Sequence, residues 1–487
     1  MPNQRHHHPL DSVLDAVAHR YEIERLHSTD SANNNKAATK LVLAIESARA
    51  QLAAGVAPAD ATKFEFLGAL SELIRESLNG SPPDPVYQAL VLRHQSPRVR
   101  EYAALSAKSE QNKRTVRTIV NAMAHPARQQ RASSAKLASS LGEIHDASNQ
   151  LQWESLANRA QHFLSWLNAE LTISDESVGL VQGKLRRLLE EPALAELRRM
   201  TELHSDNLVQ RYQALRDQSG PRSGSPDASE RGAESKKRGI QTEVLAAQAL
   251  QALADRLNRD LTDQIEQYRV VTSLRVPAAL LADTRRGKGE WDSVLLYSSD
   301  ASQGGSTVWE VCLLVEAKAS ADAATKDFPR LLRGLEILAE ASRDATYAFP
   351  SREGTLNVSG RSLSTLSTDK ARLRQTVMYC CDEVIEGTPR LLSAASRMQL
   401  LSAPASLDFA THLVNPPLGE NANADLAPSL QNASALQTLE PVWRELLHSP
   451  NWRPVLDQYQ TLLKVRELMV HPDDLVTAVR DVDSGRQ

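Results

Sequence analysis

The segment VCLLVEAKA (311–319) sets a carboxylate and an ammonium two residues apart, Glu316 and Lys318, at the end of an apolar run. On a β-strand, positions i and i+2 leave the same face, so both charges emerge together, with Cys312 and Leu314 further down that face. Five of the six residues from Val311 to Glu316 are apolar. That is the pattern of a strand covered on both faces, not of an edge with a solvated charge pair. A carboxylate in such a setting is costly to bury without a partner, and local rule-breaking of this kind is expected where a protein does chemistry. Asp292 opens the preceding strand, EWDSVLLYSS (290–299), and lies 316 − 292 = 24 residues upstream of Glu316. That separation suits two strands joined by a hairpin, with SDASQGG (299–305) as the connection. Antiparallel pairing would bring the start of one strand beside the end of the other, so that two carboxylates meet beside one lysine. Oxygen donors of that kind hold Mg²⁺. Such an ion polarises a scissile phosphate and lowers the pKa of an attacking water, while Lys318 would orient the water or stabilise charge in the transition state.

A third acid, Glu243, stands in GIQTE (239–243), 49 residues before Asp292, on a predicted helix. A helix with a glutamate, a strand opening on an aspartate, a hairpin leading to E-x-K and then a helix: in this order the segment from about Lys237 to His412 resembles the PD-(D/E)xK nuclease superfamily. The resemblance implies a restriction-endonuclease-like α/β fold with Glu243, Asp292, Glu316 and Lys318 as its catalytic residues, the three acids holding the metal. It also implies Mg²⁺ as cofactor with Mn²⁺ as a substitute, DNA as substrate ahead of RNA, and a homodimer or higher oligomer where both strands are cut. Trp291 stands where the motif's proline would be. The E-x-K pair has no specificity alone, since Glu234-Ser235-Lys236 repeats it in a polar stretch. Its context carries the reading.

Basic residues flank this core. Arg285, Arg286 and Lys288 precede Asp292 in ADTRRGKGEWD, and Lys326, Arg330 and Arg333 fall at i, i+4 and i+7 of the helix after the E-x-K, which is one face. Both groups suit contacts to nucleic-acid phosphates, and nothing in the chain resembles a base-reading motif.

Residues 9–217 read as helix after helix, with Ser96-Pro97 as a cap and N1 proline and no fixed repeat period. Residues 218–237 hold Gly, Pro or Ser at ten of twenty positions and no hydrophobic anchor, which reads as a flexible linker over 218–236. A helix over Gly239–Leu257 then leads to strands at 268–276, 290–299 and 306–319, a helix over 321–343, a strand at 346–349, and helix again over Lys370–Glu386. A second polar, proline-bearing linker covers 415–429, and 430–482 is helical. The expected architecture is multidomain: an all-α domain (1–217) for sensing, binding or oligomerisation, a linker (218–236), an α/β nuclease-like domain (237–412), and a linker with a helical C-terminal extension (413–487).

Bulk properties narrow the class. A net charge of −4 over 487 residues confines any nucleic-acid surface to a patch. Three cysteines build no disulfide framework and suit a reducing cytoplasm. Cys380 and Cys381, placed on the 370–386 helix, read as packing rather than as nucleophiles. No stretch of 18 apolar residues exists for a membrane span. No phosphate-binding loop of the G-x-x-x-x-G-K-[ST] type and no H-E-x-x-H spacing occurs, and His6–His8 reads as incidental. Leu194, Leu197, Leu208 and Leu215 suggest a bundle helix more than a coiled coil. The expected activity is metal-dependent hydrolysis of DNA phosphodiesters, with a protein partner for the N-terminal helices. By analogy of architecture this suits an effector of bacterial phage defence. The alternative, from a different class, is a helical interaction or scaffold protein whose nuclease-like domain only binds nucleic acid.

Overall fold

The computed structural model describes residues 8–23, 25, 36–130, 132, 134–170, 176–221, 225–261, 267–281, 287–299, 307–385, 390–414 and 435–484. The chain forms two compact units. Met1–Leu73, Arg222–Ala403 and Pro428–Gln487 make one; Ile74–Pro221 and Pro404–Ala427 make the other. Helix dominates, and a mixed seven-stranded sheet occupies the C-terminal half, so a helical part and an α/β part are both present as expected. No helix among the described residues is long and apolar enough to cross a membrane.

The first three helices are α1 (His8–Ala16), α2 (Ala37–Ala53) and α3 (Asp60–Asn79), and the division between units falls inside α3. The helical unit continues with α4 (Pro85–Gln95), α5 (Pro97–Ala124), the single turn α6 (Pro126–Gln129), α7 (Ala135–Asn149), α8 (Trp153–Glu170), α9 (Glu176–Glu190), α10 (Pro192–Leu203) and α11 (Asn207–Gln218). Its starts are written in side chains: Ser96 accepts from Val99 N, Ser134 from Leu137 N, and Asp206 from Leu208 and Val209 N. Residues 176–218 form three helices, α9 to α11, broken where Pro192 and the Asp206 cap each start a new one. Leu194 and Leu197 are buried there while Leu208 is exposed, so these helices pack in a bundle rather than along a seam.

The α/β unit is built around α12 (Pro226–Asp260), β1 (Gln267–Arg275), β2 (Glu290–Ser298), β3 (Val308–Ala317), α13 (Ala321–Ala339), β4 (Thr346–Ser351), β5 (Gly354–Ser359), α14 (Gly360–Leu363), α15 (Lys370–Thr376) and β6 (Val377–Cys380). After β6 come α16 (Ala394–Ser402) and, in the helical unit, α17 (Pro404–Val414). The α/β unit then closes with α18 (Glu440–His448), α19 (Arg453–Leu456), α20 (Gln458–Glu467), β7 (Met469–Val470) and α21 (Pro472–Ser484). Strands β1, β2 and β3 form an antiparallel meander; β6 pairs parallel with β3 and β7 parallel with β6; the β4–β5 hairpin joins the start of β3. β3 is thus the central strand, buried from Cys312 to Ala317.

Alternate residues of the sheet feed two cores. Val294, Leu296, Leu314, Val377 and Tyr379 pack with Phe328, Leu331 and Leu335 of α13. Leu295, Leu313, Val315, Ala317 and Cys380 pack with Ala246, Leu250 and Leu253 of α12, Leu475 and Val479 of α21, and Leu10 and Val13 of α1.

Four expectations change here. The flexible linker over 218–236 is helical from Pro226 onward, continuous with the helix expected at 239–257: Ser225 caps Ala228 N, Pro226 takes N1, and Asp227 sits in the first turn. Helix over Lys370–Glu386 ends at Thr376, because Val377–Cys380 is buried at every position and completes the sheet beside β3. The C-terminal extension is part of the α/β unit, contributing β7 to the sheet and α21 to its core. The expected all-α domain over 1–217 begins later, since residues up to Leu73 group with the α/β unit. The linker expected at 415–429 and residues 300–305 of the expected connection lie outside the described residues.

Candidate active site

Glu316 and Lys318 leave the carboxyl end of β3, and the Lys318 N–H still donates to Cys380 O at 2.9 Å. Ser293 pairs with Val315 across β2 and β3, and one step further in that antiparallel register sets Asp292 opposite Glu316. The Asp292 carboxylate accepts the Ala317 N–H at 2.9 Å, so it is anchored between the two E-x-K residues. On the other side Glu316 pairs with Tyr379 of β6.

Glu316 is 1% exposed, and two ammonium groups hold it. Lys318 Nζ is hydrogen-bonded to Oε1, and Lys288 Nζ lies 2.5 Å from Oε2. Lys288 is itself buried, its ammonium 5.4 Å from the Trp291 ring centroid. Its backbone is pressed against α13 where Gly334 permits it: a Cβ on Gly334 would come within 2.7 Å of Lys288 Cβ. Lys318 also faces Asp327 of α13 at 3.9 Å, and Tyr379 OH donates to Asp327 at 3.5 Å.

The electrostatics follow from burial. Burial pushes the Glu316 carboxyl up to about 6; Lys288 and Lys318 pull it back, and Asp292 adds to the rise. Burial works against the Lys318 ammonium, but Glu316, Asp327 and Asp292 together hold it above the usual lysine range. The Tyr379 hydroxyl is driven upward by burial first and by Asp327 and Glu316 next, so it remains a donor.

Asp292, Glu316 and Lys318 are therefore brought together as their spacing predicts. Glu243 is not with them. It is exposed on α12, and the inward position of that turn is Thr242, whose hydroxyl meets Asp382 at 3.0 Å. The reason is geometric: α12 covers the Val315–Ala317 side of the sheet, while the E-x-K charges face α13. Lys288, expected to contact phosphate from a solvated loop, is instead buried against Glu316. Lys326, Arg330 and Arg333 do form an exposed face of α13. Arg285 and Arg286, like His6 and His7, lie outside the described residues. Among the described residues, no three His, Cys, Asp or Glu side chains gather as a metal-ion group. The donors that remain, Asp292 and Glu316, suit a hard cation that takes its other ligands from water and a phosphate.

Sequence reasoning missed Lys288 as a partner of Glu316, and it missed Asp327 and Tyr379. The signal for Lys288 was present in Gly287-Lys288, a lysine directly after a residue that lets backbone approach closely; a Cβ on Gly287 would meet Ile337 Cδ1 at 2.2 Å. Beside the site, at the carboxyl ends of β3 and β6, a cleft of about 380 Å³ is lined by Tyr21, Ser320, Asp322, Glu383, Arg390 and Arg466, among others. Glu383 accepts the Ala321 N–H at the start of α13, and Tyr21 OH lies 2.8 Å from both Cys381 O and Glu383 O. The chain matches no family model, no curated protein and no solved structure.

Proposed function

We propose that the α/β unit hydrolyses phosphodiester bonds of DNA, with Asp292, Glu316 and Lys318 as its active residues and Mg²⁺, or Mn²⁺ in its place, as cofactor. The observation that carries this reading is the meeting of Asp292 with the E-x-K pair at the carboxyl end of the central strand. The order of elements around it, helix, three antiparallel strands, helix and, after the β4–β5 hairpin and two short helices, a strand parallel to β3, supports the same resemblance. Asp292 and Glu316 would hold the metal, which when bound supplies Lewis-acid activation of a phosphate and a water. Lys318 is 22% exposed and is the ammonium of the pair that reaches solvent. It would grip a non-bridging phosphate oxygen and steady charge as it develops. Asp327 and Tyr379 position that ammonium from α13 and β6. The exposed Lys326–Arg330–Arg333 face would carry phosphates beyond the cut. A role in phage defence, with the helical unit as sensor or partner-binding module, is the biological setting we attach to this activity.

The test is nicking or degradation of plasmid DNA by the full chain with Mg²⁺ or Mn²⁺. Lys318→Ala should lower the rate by about a hundredfold or more while the circular-dichroism spectrum is unchanged. Equal rates in wild type and variant would overturn the assignment. DNA binding without any cleavage in either would favour the scaffold reading.

A further inference from the structure

We infer that Lys288 is a resident counter-cation of the centre that competes with a divalent ion for Glu316, so that metal entry requires Lys288 to leave. This rests on the reading of Asp292 and Glu316 as metal ligands. The Lys288 ammonium lies 2.5 Å from Glu316 Oε2, and its side chain is only 4% exposed. The lysine is placed there by backbone as well as by charge, since Gly287 and Gly334 allow the 287–288 segment to lie directly on α13. Charge counting gives the consequence. Asp292 and Glu316 contribute −2, and Lys288 and Lys318 contribute +2; Asp327 adds one further negative charge. Adding a dication to that set leaves a net positive cluster in a buried setting, which is unfavourable. Withdrawal of Lys288 removes one of those charges and frees the Oε2 oxygen. The carboxylate pair would then offer itself to the metal, with Lys318 left to serve substrate. The centre is thus held in a low-affinity state by its own side chain, and whatever draws Lys288 away raises the metal affinity of the site.

The experiment is a Mn²⁺ titration of the full chain by calorimetry and by the metal-induced shift in Tm, neither of which needs activity. Lys288→Met removes the charge at similar volume, and Mn²⁺ should bind it about tenfold or more tighter than wild type. Its metal-free Tm should fall, because Glu316 loses one of its two ammonium partners. Gly334→Ala keeps the charge but pushes Lys288 off α13, and it should tighten Mn²⁺ in the same direction; it decides the matter if Lys288→Met does not fold. Lys326→Met, an exposed charge on the same helix, should change the affinity less than twofold. Wild type binding Mn²⁺ as tightly as the folded variants would overturn the competition and leave the nuclease reading standing. Absence of Mn²⁺ binding in all of them would overturn both.

Discussion

Glu316 is the residue on which the electrostatics of the centre turn. Its carboxyl titrates near 4.5 in the unfolded chain and is pushed up to about 6 in the fold, mainly by burial. Between those values the folded protein binds more protons than the unfolded chain, so stability falls as pH rises through that window. The displacement corresponds to about 2 kcal/mol. Glu316→Gln cannot ionise and escapes this loss. Relative to wild type, the variant should therefore gain about 2 kcal/mol between pH 4 and pH 7, read from urea unfolding at both. A difference that stays flat across that range would show an ordinary carboxyl and a less buried site. At this scale the sequence was readable where spacing carries the information. Two residues apart on a strand means one face, and 24 residues between acids means a hairpin. It was unreadable where the partner comes from a helix packed on top. Nothing local says that Asp327 turns inward while Lys326 beside it turns out, or that Lys288 gives up solvent for Glu316.

Elements show the same division between local and non-local causes. Seven of the ten Gly, Pro and Ser residues counted over 218–237 lie between Ser219 and Pro226, and the remainder sit among Ala, Glu, Lys and Arg. The breakers therefore end just where Ser225 and Pro226 start a helix of 35 residues. Averaging composition over the whole stretch hid that edge. Gly232 and Gly239 are interior to this helix, and a Cβ at either would meet nothing within 4 Å. Gly232→Ala and Gly239→Ala should each raise stability by about 0.5–1 kcal/mol, through backbone entropy alone, with a gain in ellipticity at 222 nm. Unchanged ellipticity and Tm in the double variant would mean that the segment is not helical in solution. β6 is the opposite case. Val377 and Tyr379 favour a strand, but a run of four residues following a helix is too short to decide it locally, and pairing with β3 on one edge and β7 on the other makes Val377–Cys380 a strand. The Glu243 assignment failed for a related reason: the helix was read correctly, but which face of it meets the sheet is decided by Ala246, Leu250 and Leu253, which turn Thr242 inward instead.

For the whole molecule, the consequence is that the α/β unit is not the contiguous segment 237–412. Leu10 and Val13 of α1 and Val17 just after it, with Leu475 and Val479 of α21, are buried in the same core as β2, β3 and β6, and Met469–Val470 hydrogen-bonds beside Tyr379–Cys380. No linker or turn signal in the sequence announces such a return of the chain ends to one core, because the contact joins residues more than 450 positions apart. Each of those five side chains contributes roughly 2 kcal/mol on burial, about 10 kcal/mol in all. The net stability of a domain is of order 5–15 kcal/mol, so their loss is enough to unfold it. Residues 237–412 expressed alone should therefore lack a cooperative thermal transition and should not cleave DNA, whereas under the proposed function the full chain should show both. In the full chain, Leu475→Ala should cost about 2–5 kcal/mol, lower Tm, and weaken Mn²⁺ binding at the Tm of the variant without altering it at low temperature, where the unit is still folded. A fragment of 237–412 that melts cooperatively and binds Mn²⁺ like the full chain would show that the terminal helices and β7 are appendages rather than structural parts of the α/β unit.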